Sequence, residues 1–167
     1  MDFQTERLTA VRLAAEHLAD LTDLHLDPEV SRFLGGVRSA SETQAYLDAN
    51  LAHWREHGHG LWVLHTAGGA FAGRAGLRHI EVEGVVEMEI AYTFRRDLWG
   101  RGLATEIAQA LVEFWRALRL SPSLVGIASL ENAASRRVLE KVGFGFERDA
   151  VYHGAVVALH RMSLDPL

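Results

Sequence analysis

Apolar residues at Leu103, Ile107, Ala110, Leu111, Phe114 and Leu118 recur every three or four positions, the spacing of one buried helix face. They predict a helix from 103 to about Arg119, with Pro122 beyond its end. Leu18, Leu21 and Leu24, and then Val30, Phe33 and Leu34, repeat that spacing on either side of Asp27-Pro28, which predicts two helical pieces and a break. Ser39 or Ser41 is placed to cap a further helix through Tyr46, Leu47, Leu51 and Trp54 to about His57, where Gly58 stops it.

In the middle of the chain the pattern changes. "GLWVLHTAGGAFAGRAGLRHIEVEGVVEMEIAYTF" is rich in β-branched and aromatic residues and is broken at Gly68-Gly69 and Glu83-Gly84. It reads as three strands joined by hairpin turns, the third from about Val85 to Phe94. "SLVGIAS" reads as a short buried strand, after which Asn132 caps a helix that carries Ala134, Val138, Leu139 and Val142 and ends at Gly143. A strand-like stretch from Leu8 to Leu13 precedes the first helices, and a last hairpin turns at His153-Gly154. The order predicts a single α+β domain over 1–167, with a mixed, mostly antiparallel sheet of about seven strands covered by helices.

Composition narrows the function without selecting it. The chain is 49% apolar and 23% charged, as ordinary globular domains are, and no stretch reaches the length of a membrane span. Together with an N-terminus that lacks a signal-peptide pattern, this reads as a cytoplasmic protein with no membrane partner. There is no cysteine, so any covalent chemistry must use another nucleophile. The net charge of −5 argues against a nucleic-acid partner. Of the 17 basic residues only Lys141 is lysine, a bias that fits genome composition.

The segment "LWGRGLATE", residues 98 to 106, places two glycines at the start of the strongest helix. A helix N-terminus offers amides without intrahelical partners and a partial positive charge, which suits phosphate. Gly100 and Gly102 leave those amides open to a diphosphate, Ala104 keeps the next turn thin, and Arg101 can add a charge-assisted bond. A P-loop needs Gly-Lys-Ser/Thr, which is absent, and Thr105 stands where a dinucleotide fingerprint needs its third glycine.

"TERLTAVRL", "EIAYTFRRDLWGRGLATE" and "ENAASRRVLEKVGF" together resemble the GCN5-related N-acetyltransferase superfamily (GNAT), in particular the branch of bacterial ribosomal-protein N-terminal acetyltransferases. Gly102 and Ala104 match the last two fixed places of that family's pyrophosphate loop, and Trp99 departs from its first. The resemblance implies a sheet that splays between its fourth and fifth strands, here Val85–Phe94 and Leu124–Ser129. It implies acetyl-CoA as co-substrate and no metal. The diphosphate would be held by the loop residues Trp99, Gly100, Arg101, Gly102, Leu103, Ala104 and Thr105. The pantetheine arm would lie along Tyr92, Thr93 and Phe94 and against Asn132.

The implied reaction is acetyl transfer to a primary amine, by direct attack in a ternary complex. At pH 7 deprotonation costs about 1 kcal/mol for an α-amine and about 4.6 kcal/mol for lysine, so a weak base serves the former. Glu89 resembles the family glutamate that acts as base or water relay; Glu87 shares its strand face and competes, and a salt-bridged structural role is the plain alternative. The main-chain N–H near Phe94 is the expected oxyanion donor. Leu139 stands where many relatives have a tyrosine acid, and Ser135 matches the serine that one branch uses instead. His53, His57 and His59 have metal-like spacing but no acidic or cysteine partner in sequence. The acceptor is expected to be a protein N-terminus or a small amine, and the protein a monomer or homodimer. A module that binds acyl-CoA without catalysis is the alternative function.

Overall fold

The computed structural model describes residues 1–164, so the last three positions of the expected domain lie outside the described residues. One sheet runs through the molecule, built from β1 (Phe3–Gln4), β2 (Leu8–Arg12), β3 (Leu61–Thr66), β4 (Phe71–Val82), β5 (Val85–Phe94), β6 (Ser123–Ser129), β7 (Gly145–Tyr152) and β8 (Ala155–Ser163). Their order is β1-β2-β3-β4-β5-β6-β8-β7. Every neighbouring pair is antiparallel except β5 and β6, which are parallel. The helices are α1 (Leu18–Leu26), α2 (Pro28–Ser31), α3 (Ala40–His57), α4 (Leu103–Leu118) and α5 (Ala133–Lys141).

The mixed, mostly antiparallel sheet is as expected, and the short pairing of Phe3 and Gln4 with Ala10 and Thr9 brings the expected count of about seven strands to eight. Two residues carry no readable periodicity, and the Phe3 ring is fixed instead by its edge-on contact with Trp62. One expectation in the helices needs correction: Phe33 and Leu34 fall outside a helix, since α2 ends at Ser31. The Ser31 carbonyl there accepts from the amides of Leu34 and Gly36 and closes the chain into turns.

Caps and turns otherwise follow the local chemistry. Asp27 accepts from the amides of Glu29 and Val30 to start α2, and Ser39 with Glu42 forms a reciprocal capping box on α3. Glu83 and Gly84 both have positive φ, +50° and +82°, the geometry of a two-residue hairpin turn between β4 and β5. On α4, Leu103, Ile107, Ala108, Leu111, Val112 and Trp115 are buried, and each large side chain so placed is worth about 1.5–3 kcal/mol.

The two faces of β5 have different neighbours. Tyr92 reaches α5, while Glu89 is paired with Arg78, whose guanidinium lies by Tyr46 of α3. By strand alternation Met88, Ile90 and Phe94 share the first face, and Glu87, Ala91 and Thr93 the second. A separate small core of Ile80, Val82, Val125, Ala150, Val157 and Leu159 sits beneath the β7–β8 hairpin.

Four histidines from the end of α3 and from β4 converge. The His57 and His79 rings are 4.3 Å apart and those of His53 and His57 4.4 Å, with His59 beside them. His79 is a member that spacing along the chain does not reveal. Both ring nitrogens of His53 are engaged: Nδ1 lies 2.9 Å from the His59 carbonyl oxygen, and Nε2 accepts the His79 amide at 3.0 Å. Burial pushes His53 down to about 4, and the nearby His57, His59 and His79 add to the effect. Burial lowers His59 and His79 as well.

The unfolded chain takes up these protons near pH 6.5, whereas folded His53 resists until about pH 4. Stability is therefore complete above pH 6.5 and is lost as the pH falls toward 4. For His53 alone the loss is at most about 3 kcal/mol before solvent screening reduces it. Urea unfolding midpoints should fall steadily over this window. In His57→Gln, which removes one of the mutually repelling charges, the slope should be shallower; an equal slope would show that the cluster does not titrate as a unit.

Candidate active site

Strands β5 and β6 meet at a single register pair, Glu89 with Val125, and diverge beyond it. The Arg95 amide bonds to the Ala72 carbonyl across the β4–β5 ladder. Antiparallel alternation then turns the N–H groups of Tyr92 and Phe94 away from β4, toward the gap. The edge along Tyr92, Thr93 and Phe94 thus borders a cleft that no strand fills.

A tight connection follows β5. Residues Arg96–Leu98 form one 3₁₀ turn, and the Trp99 indole N–H donates to the Phe94 carbonyl at 3.0 Å, latching the loop to the strand it leaves. Gly100 and Gly102 have φ of +72° and +77°, a region where side chains are strained. Gly102 is the N-cap of α4 and offers no side chain to its first turn, unlike Asp27, Ser39 and Asn132 on α2, α3 and α5. Glu106 is the first residue to donate back, to the Gly102 carbonyl, so the amides of Leu103, Ala104 and Thr105 have no intrahelical acceptor.

A brace from the far edge of the sheet holds this turn. Arg7 donates through Nη1 to the Arg101 carbonyl and through Nε to Glu106, each at 2.7 Å, and the Thr5 hydroxyl donates to the same carboxylate. Burial would raise the Glu106 carboxyl, but the Thr5 and Arg7 bonds hold it below the usual range. Arg7 and Glu106 are 99 residues apart, so no local pattern reveals the pair, although both lie in motifs that carry the family resemblance.

On the other wall, Asn132 Oδ1 accepts from the Ser135 amide and starts α5. The Tyr92 hydroxyl donates to the Ser135 carbonyl at 3.1 Å and lies 3.2 Å from its Oγ. Burial pushes Tyr92 up to about 12, against a smaller lowering by Ser135, so it stays a protonated donor at neutral pH. The pair joins two residues to which the resemblance gives separate roles, Tyr92 along the pantetheine arm and Ser135 as proton donor. Leu139 itself is 1% exposed and packs on Gly126, where an added Cβ would come within 2.3 Å of its side chain. It is part of the core and faces no ligand.

One cleft of about 540 Å³ gathers Tyr92, Thr93, Phe94 and Trp99–Thr105 from one wall, with Asn132 and Ser135 from the other. Arg137 and Lys141 stand at its rim, and Phe33 and Leu34 reach it from the N-terminal side. Glu89 lies on the opposite face of β5, 5% exposed, its Oε2 taking the Arg78 Nε–H at 2.7 Å. Burial alone would lower the Arg78 guanidinium, but Glu89 raises it. Both Glu87 oxygens are held by Arg161, at 2.7 and 3.0 Å, and Glu87 lies two residues farther from the open end. Between the two, Glu89 keeps an oxygen free and is nearer the gap.

Comparison with known proteins adds to this geometry. Residues 7–145 match a family model described as an acetyltransferase (GNAT) domain. The chain is 29% identical over 123 residues to the uncharacterized protein YkkB of Bacillus subtilis, covering 73% of this chain and 72% of that protein. An acetyltransferase crystal structure from Agrobacterium tumefaciens superimposes with a TM-score of 0.86 at 27% identity, covering 97% of this chain and 94% of the other. The ribosomal L7/L12 α-N-protein acetyltransferase RimL, solved with coenzyme A, superimposes with a TM-score of 0.81 at 21% identity, with 99% of each chain covered.

The brace makes a separable prediction. Arg7→Ala leaves the mostly buried Glu106 without its cation and should lower stability by about 1–3 kcal/mol in urea titrations. It should also speed hydrogen exchange at the amides of 101–105. Unchanged exchange there would mean that the turn holds its shape alone.

Proposed function

Because the chain belongs to the GNAT acetyltransferase family, we propose that it moves an acetyl group from acetyl-CoA to a primary amine by direct attack in a ternary complex. The observation that carries this reading is the uncapped first turn of α4, which opens beside the unpaired edge of β5. The amides of Leu103, Ala104 and Thr105 bind the diphosphate at the positive end of the α4 dipole, with Arg101 at the same turn and Arg137 and Lys141 at the rim. The pantetheine arm runs along Tyr92–Phe94 and completes the edge that β6 leaves bare. Asn132 borders the arm on the opposite wall.

In the transfer, the amine nitrogen bonds to the acetyl carbon and the carbon–sulfur bond breaks. The Phe94 amide is positioned to donate to the oxygen that becomes negative. Glu89, through its free oxygen or one water, takes the amine proton, while Arg78 keeps its carboxylate in place. The thiolate leaves with a proton supplied through the Tyr92 and Ser135 hydroxyls. That pair fills the role left empty by Leu139, which supports catalysis over binding alone.

Thiol release should be followed with acetyl-CoA and a panel of primary amines; release with none of them would overturn the reading. Gly102→Trp should raise the Kd for coenzyme A at least tenfold, roughly 1.4 kcal/mol, by covering the amides. Ser135→Ala and Glu89→Gln should each lower kcat by about 10²-fold with coenzyme A affinity nearly unchanged.

A further inference from the structure

Three guanidinium groups surround one tyrosine on the face of the sheet opposite α4. Arg38, Arg74 and Arg78 lie 4.8, 4.9 and 5.9 Å from the centre of the Tyr46 ring. Arg78 is paired with Glu89, and Arg38 donates to the Leu34 carbonyl and contacts His25 Nε2. His25 adds no charge, since burial, with Arg74 and Arg38 nearby, pushes it down to about 3. The group thus holds three positive charges against the one carboxylate of Glu89.

Arg74 is the most exposed to this imbalance in energy and the least exposed to water. It is 3% exposed, and its Nε is buried without a hydrogen-bond partner. The Tyr46 hydroxyl beside it is also buried and unpaired. A cation–π contact returns about 0.5–2 kcal/mol. Leaving a buried charge unpaired costs several kcal/mol, so the tyrosine face does not close the difference. An acceptor from outside the chain would.

The position of the group says what that partner is. Arg74 is in register with Thr93 and Arg78 with Glu89, so the guanidiniums flank β5 alongside the opening that begins past Glu89 and Val125. The uncapped turn of α4 reaches the opening from the other face. A second reactant entering beside the half-buried Tyr46 would meet Arg38, Arg74 and Arg78 before its amine reached Glu89.

We propose that the acceptor is an amine that carries its own anionic group, a carboxylate or a phosphate, and that Arg74, with Arg38 and Arg78, binds that group. This rests on the acetyl-transfer reading above. An anion brings the local charge toward balance and gives Arg74 its missing acceptor; guanidinium geometry suits both carboxylate and phosphate. A polyamine would add positive charge beside three arginines and is selected against.

The test uses matched pairs of acceptors: amino acids against their carboxamides, phosphoethanolamine against ethanolamine, with spermidine as the polycation. Wild-type protein should favour the anionic member of at least one pair by about 100-fold or more in kcat/KM, and should use spermidine poorly. In Arg74→Met that preference should collapse toward unity; Arg38→Met gives a second, more exposed site should the first variant not fold. Calorimetry on the coenzyme A complex provides a readout without turnover: the anionic amine binds and its neutral twin does not. Equal use of twins, or a preference for spermidine, sinks the anionic-acceptor inference and leaves acetyl transfer standing. Selective binding of the anionic amine with no thiol release sinks acetyl transfer and leaves the anion site standing.

Discussion

Parallel neighbours in a sheet usually exchange main-chain hydrogen bonds along their whole length, because backbone polar groups need partners. β5 and β6 meet once, at Glu89 and Val125, and then part. The rest of the site depends on that divergence. It leaves the N–H groups of Tyr92 and Phe94 facing a gap, and it lets one opening be approached from both faces of the sheet. The crossover through α4 brings a helix N-terminus to the same place, with its first-turn amides unspent. Strand edge and helix end both present N–H groups to the same cleft, without acceptors from their own ladder or helix.

Much of this was legible in the residues. Helix faces, Ser39 and Asn132 as caps, and the hairpin turns at Glu83-Gly84 and His153-Gly154 are local, and local chemistry decides them. So is the glycine pair in the 98–106 turn, whose positive φ values agree with its composition. What stayed hidden is whatever depends on distant residues meeting. Arg7 clasps Glu106 across the sheet, Tyr92 finds Ser135, and His79 of β4 meets His53 and His57 of α3 and His59 beyond its end. Leu139, which stands where many relatives have a tyrosine, is a core residue seated on Gly126.

Charge shows how little a total reveals. The chain carries a net −5, yet its most deeply buried cation lies in a local surplus of arginine. Arg74 and Arg78 lie on one face of β4, and Arg38 joins them because the chain before α3 folds over the same spot. Acidic residues elsewhere are matched in pairs, Glu83 with Arg148 and Glu147 with Arg161. Sign and position, more than sum, decide what such a surface accepts.

The small core beneath the β7–β8 hairpin has a mechanical consequence. Ile80 and Val82 of β4 pack there with residues of β6, β7 and β8, while Leu124 of β6 and Met162 of β8 belong to the main cluster, so both cores span the single ladder contact between β5 and β6. Packing, with the Arg161–Glu87 and Arg148–Glu83 pairs, therefore holds the angle between the halves where main-chain hydrogen bonds do not, and so sets the width of the opening. Side-chain changes in this core would then reset that width over generations while leaving the first turn of α4 untouched.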